Sequence, residues 1–335
     1  MKYLAITLTA GLIFSQNEVC FEIESNPNPN GSAFSCFSKY VRVLDCIDIY
    51  AESSVSDEKV LHVAAIAAEL LDNNEDGAVD DSDLFNQLQS NEALMPVFSY
   101  DGSPCMNSFE NNYNGEGVSA ALWRNEIDPS QPGHWGDDAT VEEVLHTINH
   151  VGHVSIYPST FNLSPNSSML TEAMDIARGG QFLNVPNNYP DEAWYHYDDW
   201  TCDYECMAIE YLYWAIVSYL GILNDNQTCN GIDNEWELCT PELFESTDTI
   251  MYSILSDTDY KLPQSAPDGN YCPSAITTGD INGDFSINIQ DVILGINIII
   301  QALDYNLQAD MNIDGIINVL DIVQIVNIIL SPQQG

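Results

Sequence analysis

The sequence predicts a mainly α-helical, disulfide-stapled domain followed by a small C-terminal module with two cation loops. Three observations predict it. Apolar residues recur at helical spacing in several segments with capping residues at their starts. β-Branched alternation is scarce, so any sheet should be small. Two matching acidic stretches repeat 30 residues apart near the C-terminus.

In chain order, "MKYLAITLTAGLIFS" carries one lysine and then an apolar run closing on Ser15, which reads as a secretory signal peptide over 1–15. A secreted chain, extracellular or attached at a cell surface, follows from it. All nine cysteines come later, and in an oxidising compartment they read as disulfides, four pairs with one left over. Cys202 and Cys206 stand one helical turn apart, and Cys229 and Cys239 bracket a loop, so both can pair locally. With no C-x-x-C pair, a cysteine-bound zinc is the weaker reading. The chain holds 51 acids against 7 bases. That field repels nucleic acid and anionic membranes and calls for water or cations around the acids.

Helices are expected near 57–71, 81–90, 140–151, 168–178, 203–222 and 240–256, making 16–262 an acidic, mainly helical domain. Residues 263–275, rich in Pro, Gly and Ser, read as a linker to a module over 276–332. The most apolar run, 207–223, contains Glu210, so no membrane span is expected.

Within the main domain, "DNNEDGAVDDSD" (72–83) places Asp72, Asn74, Asp76, Asp80 and Asp83 at positions 1, 3, 5, 9 and 12 of a twelve-residue loop. Gly77 stands at position 6, where the backbone must turn sharply, and Ala78 offers the position-7 carbonyl. Hard oxygen ligands converging from one loop between two helices suit calcium, and the stretch resembles an EF-hand loop.

The repeat applies the same logic twice. "DINGDFSINIQD" supplies Asp280, Asn282, Asp284, Asn288 and Asp291, with the carbonyl of Ser286 at position 7. "DMNIDGIINVLD" supplies Asp310, Asn312, Asp314, Asn318 and Asp321, with the carbonyl of Ile316. Each loop runs into an apolar helical stretch. This pair resembles a type I dockerin, and the resemblance implies two calcium sites and a cohesin-like partner or other surface protein. Phe285 stands where that family has glycine, and Ile289–Gln290 and Val319–Leu320 replace its common Ser-Thr pair at the partner-reading positions.

The densest cluster of metal-ligand types is "EEVLHTINHVGH" (142–153). On a helix Glu142, Glu143, His146, His150 and His153 share a stripe about 100° wide, opposite Val141, Val144, Leu145, Ile148 and Val151. His146 and His150, at i and i+4, can reach one zinc ion. The pattern is partially similar to zincin metallopeptidases, although Thr147 takes the place of their glutamate base. Glu210, stranded in an apolar helix, needs a partner and is the expected third ligand, and Glu143 is the candidate base. The expectation is one zinc site (His146, His150, Glu210) and about three calcium sites. A solvated Glu/His face, or Glu210 paired with Arg178, Arg124 or a tyrosine, is the alternative. The corresponding function is a zinc-dependent, peptidase-like hydrolase on a calcium-bound docking chain; the alternative is a non-catalytic calcium-binding surface or matrix protein.

Overall fold

Short runs of alternating side chains build the element the sequence hid. In "KYVRV" (β2, Lys39–Val43), "IDIYA" (β3, Ile47–Ala51) and "LMPVF" (β4, Leu94–Phe98), successive residues point to opposite faces. Val41, Val43, Ile47, Ile49, Met95 and Val97 enter one core, while Tyr40, Tyr50, Leu94 and Phe98 enter another. With β1 (Glu24–Ser25) and β5 (Leu122–Trp123) they form a five-stranded sheet in order β1-β2-β3-β4-β5. The first three strands are antiparallel, and β3-β4 and β4-β5 are parallel. The expectation of a mainly α chain is therefore corrected: helices and a mixed sheet share the fold.

Two features concealed the sheet. β4 is buried at all five positions and β3 at four of five, so these central strands show little polar alternation. Pro96 lies in central β4, where proline normally argues against a strand. Asp48 N donates to Ala93 O and Glu52 N to Val97 O, so odd-numbered β4 residues face β3. Pro96 turns its nitrogen toward β5, whose two residues pair only with Val97 and Phe98.

The computed structural model describes residues 21–271 and, beyond them, 279, 281–282, 287–300, 303, 306–312 and 316–330. The expected signal peptide, Cys20, Cys272, Asp280, Asp284, Ser286 and Asp314 lie outside the described residues.

Helix α1 (Asp57–Glu69) packs on β2 and β3. Its alanines (Ala64, Ala65, Ala67, Ala68) are buried and allow close approach on more than one side. Helix α2 (Ser82–Ser90) follows the acidic loop, and α3 (Pro104–Asn112) covers the sheet's second face, where Cys36–Cys105 ties it down. Helix α4 (Thr140–Thr147) continues through a π-helical stretch, Ile148–His153, into α5 (Val154–Ile156) and α6 (Pro158–Phe161). Then come α7 (Met169–Ala177), α8 (Tyr204–Tyr219) and α9 (Asn226–Ile232). The helix expected over 240–256 is two, α10 (Pro241–Thr247) and α11 (Thr249–Leu255). They break at Asp248, whose carboxylate caps α11 at Met251 N and accepts from Tyr211 and Trp194. The expected local disulfides Cys202–Cys206 and Cys229–Cys239 are both present, and among the described residues Cys46 is a free, buried thiol.

Residues 263–271 of the expected linker lie against the main domain. Glu69 accepts from Gly269 N and Asn270 N at 3.0 Å each, Asn73 Oδ1 accepts from Gln264 N, and the Tyr271 hydroxyl donates to Asp72. In the C-terminal repeat, α12 (Ile289–Ile299) and α13 (Val319–Leu330) pack together around Val292, Ile298 and Ile325. No helix of the described residues is long and apolar enough to cross a membrane.

Candidate metal centre

Helices α4 and α8 pack against each other. Glu142 and His146, one turn apart on α4, face Glu210 on α8. His146 Nε2 lies 3.4 Å from Glu210 Oε2 and 4.0 Å from Glu142 Oε1. One ligand atom from each of Glu142, His146 and Glu210 falls within 4.8 Å of the other two, the one such convergence of three metal-ligand side chains among the described residues. An ion bound tetrahedrally at roughly 2.1 Å sets neighbouring ligand atoms about 3.4 Å apart, the His146–Glu210 separation. Glu142 Oε1, 4.0 Å from His146 Nε2, would have to move closer to match.

Burial sets the electrostatics. His146 is 7 % exposed, and its ring lies 5.8 Å from that of Tyr213. Desolvation opposes its protonation, but the charge and hydrogen bond of Glu210, with Glu143 and Glu142, outweigh it and lift the imidazole to about 9. Glu142 is pushed up to about 7 and Glu143 to about 8, first by burial and then by neighbouring carboxylates, against a pull from His146. A third of the Glu142 side chain meets solvent, so water screens part of that push. Glu235 accepts from Trp214 Nε1 at 2.9 Å and is raised to about 7 by burial and by Glu210. Glu126 also rises to about 7 on burial and adds to the field at Glu142 and Glu143. The bases proposed for Glu210 are elsewhere: Arg178 pairs with Asp175 at 2.8 Å, and Arg124 is exposed with no ion pair among the described residues. Tyr211 donates to Asp248.

The expected triad is thus partly assembled. His146 and Glu210 meet as the sequence suggested, and Glu142 takes the third place in the cluster. His150 is exposed and outside it. His150 lies past the end of α4, in the π-helical stretch, and the carboxylate that acts on it is Glu205 of α8. His153 is buried beside Tyr157 and Phe161, close to the Tyr260 backbone, and desolvation depresses it to about 4. His146 Nδ1 lacks an acceptor, so the outer-sphere support common for a metal-bound imidazole is missing among the described residues. Glu235 and Glu126 went unnoticed in the sequence because nothing local marks them; only folding brings them here.

In the 72–83 loop the carboxylates serve the loop's own backbone. Asp72 is fully buried and accepts from Asp76 N, Gly77 N and the Tyr271 hydroxyl. Gly77 has φ +93°, the turn expected at position 6. Asn74 accepts from Asp76 N, and Asp76 from Ala78 N. Asp80 folds onto Asn73, Asp81 caps α2, and Asp83 is exposed. In the repeat, Asp291 accepts from Ile281 N, Asn282 N and Asn288 N, and Asp321 from Met311 N and Asn318 N. The two position-12 acids, both fully buried, therefore play matching parts 30 residues apart. Asn288 caps α12; Asp310 is buried, and the Asn312 and Ile316 positions lie in the same second loop.

No family model matches the chain, and neither a curated protein nor a solved structure is detectably similar to it.

Proposed function

We propose that the chain is a secreted divalent-metal-dependent hydrolase, peptidase-like in its chemistry, carried by a calcium-stabilised docking segment. The convergence of Glu142, His146 and Glu210, with further carboxylates close by, carries this reading. One nitrogen and two oxygen donors suit zinc, with manganese the competing cation. Three protein ligands leave a coordination position open, and the ion would there polarise a substrate carbonyl and acidify a water. Glu142 and Glu210 supply the negative charge that neutralises the cation. Glu143, held near 8, can take and return a proton close to neutral pH. Glu235, positioned by the Trp214 indole, is a second group able to hold a proton there.

The calcium reading rests on the three loops. Supporting a docking role, Ile289 (63 % exposed), Val319 (66 %) and Leu320 (62 %) present apolar side chains at the partner-reading positions of the repeat. A cohesin-like domain is the partner the resemblance implies.

Elemental analysis of purified protein, paired with peptide hydrolysis before and after chelation, tests the proposal. One zinc or manganese per chain beside about three calcium, with activity lost on chelation and restored by that metal, is the expected result. Calcium alone, with no hydrolysis, leaves the non-catalytic binding protein.

A further inference from the structure

We infer that a second site, on the far side of the sheet from the metal cluster, binds a neutral sugar ring. A cavity of about 320 Å³ opens where the aromatic layer of the second core meets the ends of β2 and β3, large enough for one or two rings. Phe34 and Tyr113, both half-buried, form an aromatic wall; their rings meet edge to face at 6.0 Å. Arg42, Asp48, Tyr50 and Glu92 supply the polar side.

The polar groups decide the ligand class. Arg42 Nη1 and the Tyr40 hydroxyl both bond Asp48 Oδ1, which leaves Asp48 Oδ2 as an acceptor with no donor among the described residues. The Tyr50 oxygen accepts from Asn28 Nδ2, so its own proton is available to a ligand. Fixed planar donors and acceptors side by side match vicinal hydroxyls, each of which donates and accepts. The aromatic wall matches the C–H face of a pyranose. An anion is disfavoured: Arg42 is already shared between Asp48 and Asp45, and Glu92 adds another negative charge.

Saturation-transfer NMR on the full-length chain, with glucose, galactose, mannose and xylose and their neutral disaccharides as probes, tests this. At least one sugar should show transfer centred on one ring face, and Tyr113→Leu should weaken it about tenfold while the circular dichroism stays that of the parent fold. Asp48→Asn should weaken it as well; if that variant fails to fold, Glu92→Gln, on the exposed rim, replaces it. Transfer from none of the sugars, or transfer that Tyr113→Leu leaves intact, overturns the inference. So does a cavity that prefers amines or amino acids in the same assay. Metal binding at Glu142–His146–Glu210 is independent of every outcome.

Discussion

His146 Nε2 stands 3.4 Å from Glu210 Oε2 across the α4–α8 contact, and Glu142 completes the group from one turn earlier on α4. A three-ligand site has none to spare. His146→Ala and Glu210→Gln should each weaken zinc binding by at least about a hundredfold, and Glu142→Gln should do nearly as much. His150→Ala should leave affinity within about twofold, since His150 lies outside the cluster. Competition titration with a chromogenic chelator measures all four. Equal losses for His146→Ala and His150→Ala would restore the two-histidine site and sink this one.

Glu143 is half-buried beside the cluster without belonging to it. Glu143→Gln should keep the bound metal and lower turnover by roughly 10²–10⁴ if it is the proton acceptor. Metal loss in this variant would make Glu143 a ligand instead.

Metal-free protein should be most stable at mildly acidic pH. Glu69, Glu126, Glu142, Glu143 and Glu235 rise from 4.5 to about 7 or 8 in the fold, burial being the largest cause at each. The folded state therefore holds more protons than the unfolded state between those values, and stability falls as pH climbs through them. His146, raised from 6.5 to about 9, extends the fall to higher pH. His153, lowered from 6.5 to about 4, acts oppositely and limits the acidic side. Thermal melts should peak at about pH 4–5 without metal and broaden toward neutral pH with zinc. A metal-free optimum above pH 7 would contradict the burial of these carboxylates.

Asp72→Ala should lower the melting temperature in chelator as well as in calcium, because Asp72 already bonds Gly77 N and the Tyr271 hydroxyl. The drop should be larger in calcium, where an ion ligand is also lost. Identical drops in the two conditions would mean that the 72–83 loop binds no calcium.

Glu69→Ala should cost about 1–3 kcal/mol, since it strands two backbone N–H groups of residues 269 and 270. Tyr271→Phe should cost about 1 kcal/mol. Urea denaturation reads both, and a broad-specificity protease should then cut 263–271 faster than in the parent chain. Unchanged proteolysis would mean that the segment is held by other contacts.

Local pattern by itself determined most of the helices. Residues 57–69, 82–90, 169–177 and 204–219 lie where apolar spacing and capping residues placed them, because those signals act within one or two turns. The same locality made two disulfides legible and marked Glu210 as a buried carboxylate in search of a partner. Tertiary structure alone decided the rest. The sheet is centred on β3 and β4, strands buried almost throughout, one carrying Pro96, and they pair across about 45 residues of sequence. The choice of Glu142 over His150 depends on how α8 packs against α4, since helical spacing offers a side chain one turn away in either direction and only the facing helix selects between them.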